Sequence, residues 1–207
     1  MSRLLLIILA AFAVSSRAAI DLTPSASEYT AEGIAFRQLS FKDGKRRVIY
    51  ELPRQWNYRG EGTSLQLLPP NSARADASIQ SADAPKPQPF DEKLFGALRE
   101  QSLHAAPPGA QSVSVLNEEL NPVRLDRGDA YAVTISYQTL GETFVRSTLY
   151  VLFSDAQLTF RLTSRKADFE RLNRAFRSSI LSWHWVEDNA PTVAENAAIQ
   201  TVATPRQ

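Results

Sequence analysis

The stretch YAVTISYQTLGETFVRSTLYVLFSDAQLTFRLTSRKADFERLNRAFRSSI, residues 131–180, holds three strand patterns and one helix pattern in succession. Tyr131, Val133, Ile135 and Tyr137 alternate with Ala132, Thr134 and Ser136, which is the period of a half-buried strand. Phe144 to Phe153 is longer and apolar on both sides toward its end, as expected of a central strand covered on both faces. After a tight turn at Ser154-Asp155, Leu158, Phe160 and Leu162 alternate with Gln157, Thr159, Arg161 and Thr163. Three such strands joined by short turns predict an antiparallel meander. Phe169, Leu172, Phe176 and Ile180 then recur every three or four residues, so they share one helical face. Asp168 is the expected cap of that helix, and Trp183 and Trp185 are expected to close its contact with the sheet.

Upstream of this stretch the same signals recur. Ala35–Phe41 and Arg47–Leu52 flank Asp43-Gly44, a hairpin signal. Pro53-Arg54-Gln55-Trp56 reads as a strand-end turn. Ser64–Leu68 is a short strand stopped by Pro69-Pro70, and Ala75–Ser81 alternates again. The prolines of residues 82–89 make a stiff connector. Asp91 then caps a helix to about Leu103, with Leu94, Ala97 and Leu98 as its buried stripe. Ser112–Leu120 is a further strand. Strands followed by a helix, twice over, predict an α+β domain built on one antiparallel β-sheet. Its bounds are 35–186, between a loosely held lead-in at 19–34 and a disordered tail at 187–207, which is rich in Ala, Thr, Asn and Pro.

The order of these elements, with the Tyr-x-x-Pro-x-x-Trp stretch at Tyr50, Pro53 and Trp56 and the segment from Tyr131 to Phe176, resembles the PsbP-like superfamily. That group includes the extrinsic oxygen-evolving proteins of photosystem II, nuclear Ran-binding factors and many bacterial exported proteins. The resemblance implies an antiparallel β-sheet flanked by helices on both faces, an α/β/α sandwich serving as a binding scaffold rather than an enzyme. The superfamily has no shared catalytic set, so no functional residue is carried over. Fold-level likeness does not by itself assign a function.

The N-terminus is read from its own chemistry. Arg3 precedes an unbroken apolar run from Leu4 to Val14, and Ser16-Arg17-Ala18 has the small-x-small form of a cleavage site. These are the parts of a secretory signal peptide, expected over residues 1–18. The run falls short of the roughly 20 apolar residues that cross a bilayer. Cysteine is absent, which excludes disulfides, thiolate metal sites and lipid attachment at the cleavage site. Losing residues 1–18 takes Arg3 and Arg17 from the 23 basic residues and none of the 22 acidic ones, turning a formal charge of +1 into −1. A nucleic-acid binder shows a clear basic excess, so none is expected as a partner. An exported, periplasmic or extracellular protein is expected.

The residues that could carry chemistry each have a plainer explanation. His104 follows Glu100 by four residues and suits a helix end, where a cation meets the dipole; a metal site needs more ligands. Trp183-His184-Trp185 has the composition of a cation or sugar cage, but alternate residues there pack two rings and expose the histidine. No Gly-x-Ser-x-Gly or Ser-x-x-Lys motif exists, and Arg59-Gly60-Glu61-Gly62 reads as a turn rather than a phosphate loop. Glu118 and Glu119 are adjacent in a strand, so they point to opposite faces and do not work as an acid–base pair. Lys45-Arg46-Arg47, with Arg54, Arg59, Trp56 and Tyr58, is the one basic cluster, suited either to an acidic partner or to a solvated hairpin edge. No catalytic, cofactor-binding or metal-binding residue is assigned, and no cofactor is expected. The leading expectation is a non-enzymatic accessory protein that binds an envelope component or a protein. The second is a small-ligand module with a pocket between sheet and helix, lined by residues such as Tyr131, Tyr137 and Trp56, and an enzyme ranks third.

Overall fold

The computed structural model describes residues 19–83, 89–126, 128–154 and 156–188. The expected signal peptide, most of the proline-rich connector and the tail from 189 onward lie outside the described residues. In chain order the elements are β1 (Ser25–Ala31), β2 (Ile34–Asp43), β3 (Arg46–Glu51), β4 (Asn57–Glu61), β5 (Ser64–Leu68), β6 (Asp76–Asp83), α1 (Glu92–His104), β7 (Gln111–Leu120), β8 (Asp129–Thr139), β9 (Glu142–Leu152), β10 (Ala156–Arg165), α2 (Lys166–Ile180) and β11 (His184–Glu187).

The meander forms as expected: β8, β9 and β10 pair antiparallel in sequence order. They sit inside a seven-stranded sheet ordered β4-β5-β6-β10-β9-β8-β7. Alternation then decides what each face meets. Tyr131, Val133, Ile135 and Tyr137 of β8 join Leu94, Phe95 and Leu98 of α1 in one apolar cluster. Ala130 and Ala132, on the other face, join Leu149, Val151 and Phe160 and the buried stripe of α2 (Phe169, Leu172, Phe176 and Ile180) in the larger core. Each such side chain contributes about 1.5–3 kcal/mol by leaving water, so α2 is held chiefly by this stripe.

The α+β class and the antiparallel pairing agree with the sequence reading; the layering differs. Instead of one sheet there are two, the second ordered β1-β2-β3-β11. It packs on the same side as α2, through Leu39 and Phe41 of β2 and Val48 and Tyr50 of β3. That face is therefore covered by a helix and a sheet together, not by a helix alone. The hairpin at Asp43-Gly44 splits off from the meander because its apolar residues face the core from the opposite side.

Residues 19–34 are part of the fold rather than a loose lead-in. Ile20 and Leu22 are buried in the core. Glu32 and Gly33, both at positive φ, turn β1 back onto β2. The β2–β3 turn uses Gly44-Lys45 as its loop, with only Gly44 at positive φ. β4 forms where a turn was expected, pairing Asn57–Glu61 with Ser64–Leu68. Asp91 does cap α1, accepting hydrogen bonds from the backbone N–H of Lys93 and Leu94. Asp168 does not cap α2: the helix starts directly after β10 at Lys166, which places Asp168 inside the first turn. After α2 the chain enters β11, an edge strand on β3, where a helix exit was expected.

Candidate functional site

The motif Trp183-His184-Trp185 is built for packing. Trp183 is 2% exposed and lies against Phe41 (ring centroids 5.6 Å), Tyr50 (5.9 Å) and Phe160 (5.3 Å). Trp185, half-buried, donates from Nε1 to Asp43 at 2.8 Å and lies under the Arg46 guanidinium at 5.7 Å. His184 is exposed, with Nδ1 2.7 Å from the carbonyl of Ser182. His104 is also exposed, with Nδ1 2.8 Å from the carbonyl of Glu100 and 4.0 Å from its carboxylate. Among the described residues, no three His, Asp or Glu side chains converge as metal ligands.

Glu118 and Glu119 do point to opposite faces, and each ties down a helix. Glu118 accepts from Nε and Nη2 of Arg99 on α1, at 2.5 and 2.7 Å, and from the Tyr131 hydroxyl at 2.7 Å. Arg99 holds the Glu118 carboxyl below the usual carboxylate range, and Tyr131 adds to the effect against some burial. Burial, then Glu118, pushes the Tyr131 hydroxyl up. Glu119 accepts from Arg177 on α2, at 3.0 and 2.8 Å. One edge strand thus fastens both helices, and these carboxylates are already paired.

The expected pocket between sheet and helix does not assemble from Tyr131, Tyr137 and Trp56. Tyr131 and Tyr137 pack in the cluster beneath α1, whereas Trp56 packs in the core on the other face. Alternation separates the two tyrosines from the tryptophan by the thickness of the sheet. The basic cluster disperses too. Arg46 pairs with Asp43, Arg59 donates to Gln66 at 2.5 Å on a different sheet, and Lys45 and Arg54 are exposed.

What the structure assembles instead is an open cleft of about 160 Å³, lined by Phe36, Arg37, Leu52, Pro53, Arg54 and Trp56 together with Glu28, Gln55 and Asn57. Pro53 starts a tight turn closed by the N–H of Trp56 on the Pro53 carbonyl (3.0 Å), with Gln55 at φ 66°. The Trp56 ring lies parallel to Phe176 at 6.0 Å, which anchors the turn to α2. The Leu52 N–H bonds the carbonyl of Arg37 at 2.9 Å and joins the turn to β2. Arg37 is held by Glu28 at 2.8–2.9 Å and reaches Asn57 at 3.5 Å. At the neighbouring β1–β2 surface, Tyr29 stacks on Phe36 and donates to Glu51 at 2.6 Å; its hydroxyl is pushed up to about 12 by burial and then by Glu51. The sequence reading takes Pro53–Trp56 as a strand-end turn and assigns no site to it. Tyr50, fully buried in the core, does not line the cleft and shares a 2.8 Å hydrogen bond with Ser179.

No protein-family model matches the chain, and no curated protein matches it. Solved structures do. A cyanobacterial PsbP (CyanoP) from Synechocystis sp. PCC 6803 is 13% identical, covering 77% of this chain and 92% of that one, with a TM-score of 0.49. LpqN, involved in cell envelope biogenesis of Mycobacterium tuberculosis, is 11% identical over 79% of this chain and 91% of that one, TM-score 0.47. PA94 from Pseudomonas aeruginosa, a protein of unknown function, is 12% identical over 81% of this chain and 99% of that one, TM-score 0.42. No fold family, activity or partner follows from these likenesses. No helix among the described residues is long and apolar enough to cross a membrane.

Proposed function

We propose that this is an exported, non-catalytic accessory protein that engages a protein or envelope component through the cleft at Leu52–Asn57. The cleft's own chemistry carries this reading: apolar walls from Phe36, Leu52, Pro53 and Trp56 stand beside two guanidiniums, Arg37 and Arg54. A cavity of ~150 Å³ holds about one benzene ring. The cleft therefore suits one apolar side chain of a partner, with an acidic neighbour meeting Arg54. The carboxylates of Glu118, Glu119 and Glu142 are engaged by arginines, and both histidines are exposed beside main-chain carbonyls. Such an arrangement supports a scaffold role. Export rests on the charged, apolar and small-residue segments of residues 1–18.

The test is partner capture from native envelope extracts with the wild-type protein and with Arg54→Glu. Arg54 is exposed, so the variant should keep its fold. Specific capture by the wild type, lost on charge reversal, is the expected result. Equal recovery with both proteins, or turnover of a small molecule by the pure protein, would overturn the reading.

A further inference from the structure

α1 covers only part of the sheet face on which it lies; it packs chiefly over β7 and β8 and reaches Tyr150 of β9. Beyond it, the register places Gln66 of β5, Ser78 of β6, Arg161 of β10 and Thr148 of β9 side by side in one row of that face. Arg146 of β9, opposite Thr163, lies in the adjoining row and is a diagonal neighbour of Arg161. Such diagonal positions lie about 7–8 Å apart, within reach of long side chains.

This arrangement carries more positive charge than its partners balance. Arg146 is only 8% exposed. Its guanidinium donates to the Thr163 hydroxyl at 2.9 Å, to the carbonyl of Ala105 and, at 3.5 Å, to the Tyr137 hydroxyl, and it stands 5.5 Å over the Tyr137 ring. None of these partners is a carboxylate. Burial, with the nearby Arg161 charge adding to it, lowers the Arg146 pKa. Arg161 has one acidic neighbour, Asp76, at 3.7 Å, well beyond the roughly 2.7–2.9 Å of a charge-assisted hydrogen bond. Asp76 also accepts from Gln66 at 2.8 Å. Among the described residues, Nε of Arg161 meets no acceptor and the Ser78 hydroxyl, on a residue 5% exposed, meets no partner. The Tyr150 hydroxyl, 2.9 Å from Ser102 of α1, lies in the field of both guanidiniums.

Arg146 has a structural task, since it braces the last turn of α1 through Ala105. Arg161 has none of that kind, and a buried donor without an acceptor is costly. We propose that this row is a binding site for a small oxyanion, a carboxylate or phosphate group on a small molecule, taken by Arg161 and the Ser78 hydroxyl beside Arg146. Guanidiniums match both groups through parallel N–H bonds. Asp76 occupies part of the site's charge and weakens the anion's hold, which gives the two flanking positions opposite effects. This inference is independent of the Leu52–Asn57 cleft, because none of its residues lines that cleft.

The experiment titrates the purified protein calorimetrically with sodium phosphate and, separately, with sodium acetate, at ionic strength held constant with sodium chloride. Phosphate stabilises folded proteins generally, so direct binding and the variants decide. Saturable binding of phosphate, of acetate or of both supports the site and tells the two headgroups apart. Arg161→Gln is expected to weaken that binding about tenfold or more, the loss of one charged hydrogen-bonding partner. Asp76→Asn is expected to strengthen it severalfold. Heats no different from the chloride blank, or binding unchanged in Arg161→Gln, would overturn the proposal. So would Asp76→Asn weakening the binding.

Discussion

Replacing Trp183 separates its packing from its polarity. The indole sits among Phe41, Tyr50 and Phe160 at the junction of the two sheets, while its Nε1–H meets no acceptor among the described residues. Trp183→Ala removes the ring and leaves a cavity, which costs about 3–5 kcal/mol. Trp183→Phe removes only a few ring atoms. On the scale of ~0.8 kcal/mol per methylene, lost burial and a small void cost about 1–3 kcal/mol. The same change removes a buried, unpaired N–H, whose penalty is about 1–3 kcal/mol. The two terms nearly cancel, so Trp183→Phe should lie within about 2 kcal/mol of wild type. Equilibrium urea unfolding followed by circular dichroism measures both variants. At about 2–4 °C per kcal/mol for a domain of this size, Trp183→Ala should lower the melting temperature by about 6–20 °C. A phenylalanine variant as unstable as the alanine variant would refute the reasoning, because the N–H would then have to be a stabilising contact.

Acid should loosen α1 through Glu118. Its folded pKa is depressed, chiefly by Arg99, so its stabilising effect is present above the unfolded carboxylate value near ~4.3 and is lost as pH falls through the folded value. Glu118→Gln should flatten the acid limb of a stability–pH profile recorded by circular dichroism. Gly60→Ala should be disruptive: φ is +120°, and an added Cβ would lie 2.4 Å from the Ser64 carbonyl oxygen. Its cost should be at least about 1–3 kcal/mol in urea unfolding. Gly62→Ala faces open space but sits at φ +65°, so it should cost about 1 kcal/mol of left-handed backbone strain, less than Gly60→Ala. Removing Arg177 should be mild, about 0–1 kcal/mol, since the pair with Glu119 is about one third exposed on each side. Export predicts a mature N-terminus at Ala19, read by N-terminal sequencing of the protein recovered outside the cytoplasm.

The sequence by itself determined the local structure of this protein. Period-two alternation placed β8 to β10 and their antiparallel order, because a strand's two faces are written in consecutive residues. Asp91 announced the start of α1, and the stripe Phe169–Ile180 announced its partner helix. Adjacency also settled that Glu118 and Glu119 look away from each other. Only the tertiary structure decided how these pieces stack. β1, Ser25–Ala31, lies at an edge and has no run of large apolar residues at period two, so its pattern gave little sign of a strand, and pairing with β2 is what orders it. The separation into two sheets, the cleft and the row of Arg161 and Ser78 each join residues far apart in the chain. Strand register sets those meetings, and register comes from packing across the whole core. Asp168 shows the same limit in miniature. Its residue type suits a helix cap, but the helix begins where β10 ends, and the strand's pairing with Phe144 fixes that point.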